Sequence, residues 1–201
     1  MPAHVENDVN AAAVGAATVL GGADGMAGTI AFLNFGTGLA AGIVENGVLM
    51  HGYSGAAGEI GISQSNLIAS SACGQYGCLE TVCSGASVGR LWPNADPPMP
   101  DLIRRAKKRE AEAVDVLDMV VRAIGDTIQI LAQSVDPRLI VLGGGMAKTG
   151  EPLVEVITLS CAGANRNADS LKRWTCRPAA SGTRRSTGRS HRCRHGGIAL
   201  A

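Results

Sequence analysis

The sequence predicts an α/β domain, and three observations carry that expectation. Between Gly28 and Met50, short apolar runs alternate with tight turns, the pattern of consecutive antiparallel strands. From Glu110 to Val135, the apolar residues Leu117, Val120, Val121, Ile124, Ile128, Leu131 and Val135 recur every three or four positions, as one face of a long helix requires. Leu139 to Leu142 then forms an apolar run that enters a glycine triplet, as a buried strand turning into a loop would. With 46% hydrophobic and 17% charged residues, the 201-residue chain can bury a core. Aromatics are only 3%, so Ala, Val, Leu and Ile must build it.

Taken in order, Asn10 to Leu20 is rich in strong helix formers and follows Glu6-Asn7-Asp8, whose side chains can cap a helix. "GTIAFLNFG" reads as a buried strand and "LAAGIVENGVLM" as a hairpin. Asn46-Gly47 is its turn, because both residue types tolerate positive φ. Gly36-Thr37-Gly38 separates the first two strands of this three-stranded meander. Gly52 to Ser71 reads as loop with a short helix, and "PNADPPMP" as a turn-rich spacer. Asp136-Pro137 closes the long helix, since the residue before proline avoids the helical region. A further helix is expected after Pro152.

The net charge of +1 argues against a nucleic-acid binder. No apolar stretch approaches the ~20 residues that span a bilayer, and the N-terminus lacks a basic-then-apolar signal pattern. A cytoplasmic location is expected, where six cysteines would be thiols or metal ligands rather than disulfides. The charge is unevenly spread. Arg166, Lys172, Arg173, Arg177, Arg184, Arg185, Arg189, Arg192 and Arg194 are accompanied by one acid, Asp169. Residues 158–201 thus read as an arginine-rich tail, either a disordered nucleic-acid arm or the product of a reading-frame change near Thr158. Residues 1–157 are expected to hold the folded lobe.

Several stretches carry chemistry, each with a plain structural alternative. Asn7 and Asp8 either cap the first helix, or act as a hydrogen-bond donor to a substrate hydroxyl and a general base. Gly36-Thr37-Gly38 is a simple hairpin turn, or a loop whose backbone lets a phosphate approach Thr37. Gly143-Gly144-Gly145 suits either a nucleotide lying on the backbone or close helix–strand packing. Glu59 sits in a glycine-rich loop, where a lone glutamate is ordinarily just solvated. Cys73 and Cys78 frame a glycine-containing turn before Glu80, a metal motif with a piece missing or two ordinary thiols.

Together and in order, "VENDVNAAA", "NFGTGLAAGIVENG", "GYSGAAGEIG", "ACGQYGCLETVCSG" and "LIVLGGG" resemble the ROK family of bacterial sugar kinases and sugar-responsive repressors, over roughly Val5 to Ile157. The resemblance implies one lobe of the actin-like (ribonuclease H-like) ATPase fold. It also implies phosphorylation of a hexose or N-acetylhexosamine by ATP and Mg²⁺. Asp8 would be the catalytic base, and Asn7, Glu59 and Glu80 would bind sugar hydroxyls. Gly36, Thr37 and Gly38 would form a phosphate-binding loop, and Gly143, Gly144 and Gly145 the loop near the adenosine. The family's structural zinc uses a histidine just after "GEIG" and three cysteines of a C-x-C-G-x-x-G-C loop. Here Ile62 replaces the histidine and Ser71 the first cysteine, leaving Cys73 and Cys78 of a degenerate site expected to hold Zn²⁺ poorly or not at all. The family's N-terminal phosphate-gripping lobe is expected to be absent, and the basic tail to stand in place of a C-terminal helix. The expectation is a truncated sugar kinase, inactive alone, with sugar and ATP as partners and a homo-oligomer among the expected assemblies. A sugar-binding repressor domain and a gene remnant without activity are the alternatives. No membrane partner is expected, and nucleic acid only if the basic tail is genuine.

Overall fold

A computed structural model of the chain describes residues 5–20, 27–64, 74–164, 175–176 and 197–201. Helix α1 (Asp8–Leu20) precedes strands β1 (Thr29–Phe35), β2 (Leu39–Glu45) and β3 (Val48–Leu49). The helices α2 (Glu80–Cys83), α3 (Gly85–Leu91), α4 (Pro98–Lys107) and α5 (Ala111–Val135) follow. Strand β4 (Leu139–Gly143), helix α6 (Glu151–Ala164) and strands β5 (Thr175–Cys176) and β6 (Gly197–Leu200) complete the order. They form one six-stranded sheet in the order β3-β2-β1-β4-β6-β5. The predicted meander is present. β1, β2 and β3 pair antiparallel, with Asn46 (φ 49°) and Gly47 (φ 82°) in the left-handed conformations of the predicted turn.

β1 is apolar and buried from Ile30 to Leu33 and again at Phe35, because both its faces are covered. Ala31, Leu33 and Phe35 face the larger core with Ile140, Leu142 and the α5 residues Val120, Ile124 and Ile128. Ile30 and Phe32 face a smaller core with Val44, Val141 and the α1 residues Val9, Ala13 and Ala17. Alanines let α1 lie close to the sheet, and Gly42 of β2 is where it crosses. A Cβ at Gly42 would sit 2.5 Å from the Ala13 Cβ and 3.0 Å from the Val9 carbonyl oxygen.

β4 runs parallel to β1, from Ile30 opposite Leu139 to Asn34 opposite Gly143. The Gly36–Gly38 turn and the Gly143–Gly145 loop therefore leave the sheet at the same end. That register brings the two glycine loops together.

The structure departs from the sequence reading in four places. α1 begins at Asp8 rather than Asn10. The spacer "PNADPPMP" ends inside α4, which opens on Pro98, a residue whose fixed φ and missing N–H suit the first helical position. α6 runs through Ile157 to Ala164, so the fold does not stop at residue 157. In the basic tail, Gly197–Leu200 pairs with β4, placing Ile198 and Ala199 in buried positions. Among the described residues, no helix is long and apolar enough to cross a membrane.

Candidate active site

The first half of β2 is the spine of the site. α1 docks at Gly42 and brings its own start, Asn7 and Asp8, to this strand. Both capping and exposure are realised there. Val9 N donates to Asn7 Oδ1 at 2.8 Å and to Asp8 Oδ1 at 2.9 Å, so one oxygen of each side chain stabilises the helix end. Both residues remain exposed, and Asp8 Oδ2 has no bonded partner among the described residues. Capping and a reactive carboxylate are thus compatible in one residue.

Glu6, which the sequence reading passed over, ties this helix start to the next loop. Its carboxylate accepts from Asn7 N at 3.0 Å, from Asn10 Nδ2 at 3.0 Å, and pairs with His51 Nε2 at 2.7 Å. The bond from Asn10, then those to His51 and Asn7, hold the Glu6 carboxyl down at about 2. A depressed carboxylate stabilises the fold above its unfolded pKa of about 4.5, and that contribution is lost as the pH falls through about 2. The Glu6 carbon resonances in an NMR titration are expected to move near pH 2, and Glu6→Gln to flatten the acid limb of the stability profile. Titration near 4.5 would show that the bonds from Asn10, His51 and Asn7 to Glu6 do not persist in solution.

His51 opens the loop that carries Glu59. Ala41 N donates to Gly58 O at 2.8 Å, and Gly58 adopts φ +91°, so this loop covers the free edge of β2. Glu59 emerges exposed, followed by a single 3-10 turn at Ile60–Ile62, the short helix the sequence led us to expect. Ser63 O accepts from Leu79 N at 3.0 Å, and Gln64 bridges Cys78, which places Glu80 beside Gly61. Glu80 Oε2 accepts from Leu39 N at 2.9 Å.

The cysteine loop is described only in part, since Ser71 and Cys73 lie outside the described residues. Cys78 is buried, with its thiol directed at Ile62 O (3.8 Å) and Gln75 Oε1 (4.0 Å). Ile62 and Cys78 are thus neighbours, as two positions of one metal site would be, but the isoleucine offers no donor. Cys83 is no substitute. Burial pushes its thiol up to about 12, and it bonds Leu79 O at 3.3 Å. His51 is engaged by Glu6. Among the described residues, no three potential ligands cluster to hold a metal.

A cavity of about 440 Å³ opens between the two glycine loops. Gly36 and Thr37 line one end, Gly145, Met146 and Thr149 the other, and Pro98 and Met99 give it an apolar wall. The size and the mixture of backbone amides with apolar wall suit a nucleotide-sized ligand. Gly38, Gly143 and Gly144 are not among its lining residues. Gly143 ends β4 beneath the Phe32 ring, and Gly144 packs on Asn34 and Phe35 with φ +83°. Gly85 and Ala86, which also line it, were missed. Their signal was Ser84 three residues before Ser87, a capping spacing. Ser87 N donates to Ser84 Oγ at 3.1 Å at the start of α3.

The chain matches the ROK family over residues 1–186. It is 34% identical over 178 residues to a glucokinase of Halalkalibacterium halodurans, covering 78% of this chain and 53% of that protein. To an N-acetylglucosamine repressor of Escherichia coli O157:H7 it is 30% identical over 148 residues, covering 67% of this chain and 35% of that one. The chain therefore spans about half the length of the glucokinase it matches, and less of the repressor. The fold is similar to that of a ROK hexokinase from Thermus thermophilus, with a TM-score of 0.64 and 28% identity over 81% of this chain and 57% of that one. The sheet and its helices are accordingly an α/β lobe of the actin-like ATPase type. With the ordered motifs and the family match in agreement, the chain belongs to the ROK family.

Proposed function

We propose that this chain is the sugar- and nucleotide-binding lobe of an ATP-dependent sugar kinase acting on a hexose or N-acetylhexosamine, and that alone it binds without turning over. The observation that carries the reading is the cavity between the Gly36–Thr37 turn and the Gly145 loop, where β1 and β4 leave the sheet; the segments carrying Asp8, Glu59 and Glu80 lie against the first half of the adjoining β2. Asp8 takes the proton of the attacking sugar hydroxyl. Asn7, Glu59 and Glu80 hold neighbouring hydroxyls, and the backbone of Gly36, Thr37 and Gly38 faces the phosphates. Gly143, Gly144 and Gly145 shape the adenosine side. Phosphoryl transfer asks chiefly for positioning and charge neutralisation, and this set supplies them. Mg²⁺, when bound with the nucleotide, would supply further charge neutralisation. Among the described residues, Asp8, Glu59 and Glu80 would offer it exposed carboxylates and no three potential ligands cluster, which suits an ion that keeps waters and phosphates as ligands.

The second reading is the sugar-binding domain of a ROK repressor, favoured by the match to the N-acetylglucosamine repressor. Calorimetric titration separates the two. A kinase lobe binds both a hexose and the non-hydrolysable analogue AMPPNP with Mg²⁺, whereas a sensor domain binds the sugar alone. Binding of neither at millimolar concentration sinks the sugar reading. Zinc is expected at well below one per chain, because Ile62 and Ser71 stand at ligand positions and Cys78 is directed to carbonyl oxygens. One firmly retained zinc per chain in metal analysis would overturn that expectation.

A further inference from the structure

The Gly36–Gly38 turn is clasped at both ends by one short stretch of chain. On the entering side, Gly85 N donates to Gly36 O at 2.8 Å. On the leaving side, Leu39 N donates to Glu80 Oε2 at 2.9 Å, across 41 positions of sequence. One carboxylate oxygen lies close against the turn, since a Cβ at Gly38 would meet Glu80 Oε2 at 2.8 Å. The backbone of Glu80 is itself fixed. Its carbonyl accepts from Ser87 Oγ at 2.6 Å and from Ser84 N at 3.3 Å, and Arg90 Nη2 donates to Ser87 Oγ at 2.7 Å. Glu80 Oε1 has no bonded partner among the described residues, and the residue is exposed. A glutamate that served only a sugar hydroxyl would need no bond to the amide that closes the phosphate turn.

We infer that Glu80 is a positioning residue for the nucleotide. One oxygen fixes the turn that faces the phosphates, while the other stays open toward the sugar side, so a single carboxylate links the two substrates. This rests on the kinase reading above. Sugar binding at Oε1 stiffens the clasp and tightens nucleotide binding; nucleotide binding, by the reciprocity of linkage, tightens sugar binding.

The test is calorimetric titration of AMPPNP with Mg²⁺ into the full chain, without sugar. Wild type is compared with Glu80→Gln, Glu80→Ala and the remote Asp118→Ala on α5, whose carboxylate pairs with Arg122. Glu80→Ala is expected to weaken the nucleotide roughly tenfold, the worth of one charge-assisted hydrogen bond. Glu80→Gln keeps an acceptor for Leu39 N and is expected to stay within about twofold of wild type. Asp118→Ala should match wild type. Hydrogen exchange at the Leu39 amide supplies a second readout, expected to quicken in Glu80→Ala while the β4 amides of Ile140 and Leu142 stay protected. If wild type binds AMPPNP and Glu80→Ala binds it equally well, the inference fails and the kinase reading stands. If no variant binds AMPPNP, the kinase reading fails and takes the linkage with it. Unchanged Leu39 exchange in Glu80→Ala would show that the clasp does not hold in solution.

Discussion

The 201-residue chain, given ATP, Mg²⁺ and glucose, mannose, fructose or N-acetylmannosamine, is expected to form no measurable sugar phosphate, and any trace is expected to vanish in Asp8→Asn. The expectation follows from magnitudes. A positioned general base is worth about 10²–10⁴-fold, far short of the roughly 10⁶-fold or more by which enzymes accelerate reactions. The rest comes from fixing both substrates and excluding water, up to about 7–11 kcal/mol in favourable cases. The described residues offer Asp8 as the proposed base but no enclosure, for Asn7, Asp8, Glu59, Glu80 and Thr37 are all exposed. Asn at position 8 keeps an oxygen for Val9 N and so leaves α1 capped, while removing the proton acceptor. Loss of signal in that variant therefore reports chemistry rather than unfolding. A coupled assay with product identified by mass spectrometry decides the matter. Robust phosphorylation that depends on Asp8 would show that this lobe closes its own site. Phosphorylation that survives Asp8→Asn would remove Asp8 from the mechanism.

Gly58→Ala is expected to destabilise the chain more than any surface change, by about 3 kcal/mol or more. Two costs add. Gly58 holds φ +91°, a conformation that L side chains rarely adopt, and a Cβ there would run into the Ala41 carbonyl oxygen. The obstacle is backbone in the middle of β2, which cannot swing aside as a side chain would. The loop must lift from the strand edge, breaking the bond from Ala41 N to Gly58 O and carrying Glu59 away. For a chain of this size such a loss corresponds to a fall of about 6–12 °C in melting temperature, and sugar affinity is expected to fall with it. Thermal melting together with sugar titration measures both. A variant that melts within about 2 °C of wild type would mean that the loop does not sit on β2 as described.

What could be read in the sequence was local. Asn46-Gly47 announces its turn because few other pairs tolerate two positive φ values in succession. The long helix announces its face through Val120, Ile124, Ile128 and Leu131, and its end through Asp136, which takes the left-handed φ of 38° before Pro137. The start of α1 was misread by two residues because Asn7 and Asp8 were weighed as caps or catalysts, when Asn7 Oδ1 and one Asp8 oxygen can cap while the second Asp8 oxygen stays open. Proline misled in "PNADPPMP", since the same ring that breaks a helix interior opens α4 at Pro98. The joins across the chain were illegible. Nothing near Glu80 hints that it bonds Leu39, nor does anything near Gly36 point to Gly85. β6 was hidden for another reason, as four residues of "GIAL" amid arginines give no periodicity to detect. Its placement depends on β4 having an edge to fill. Candidate residues could be named in order along the chain, but the bonds that join Glu80 to Leu39 and Gly85 to Gly36 exist only once the sheet is built.

The hairpin geometry of β2 also offers a practical handle. The two ends of this seven-residue strand, Leu39 and Glu45, are about 20 Å apart at the usual rise of a strand. The glycine turn sits at one end and the Asn46-Gly47 bend at the other. A fluorophore or short peptide insert placed in that distal bend would ride on the lobe at the far end of β2 from the glycine turn, and would report on ligand titrations without touching that turn.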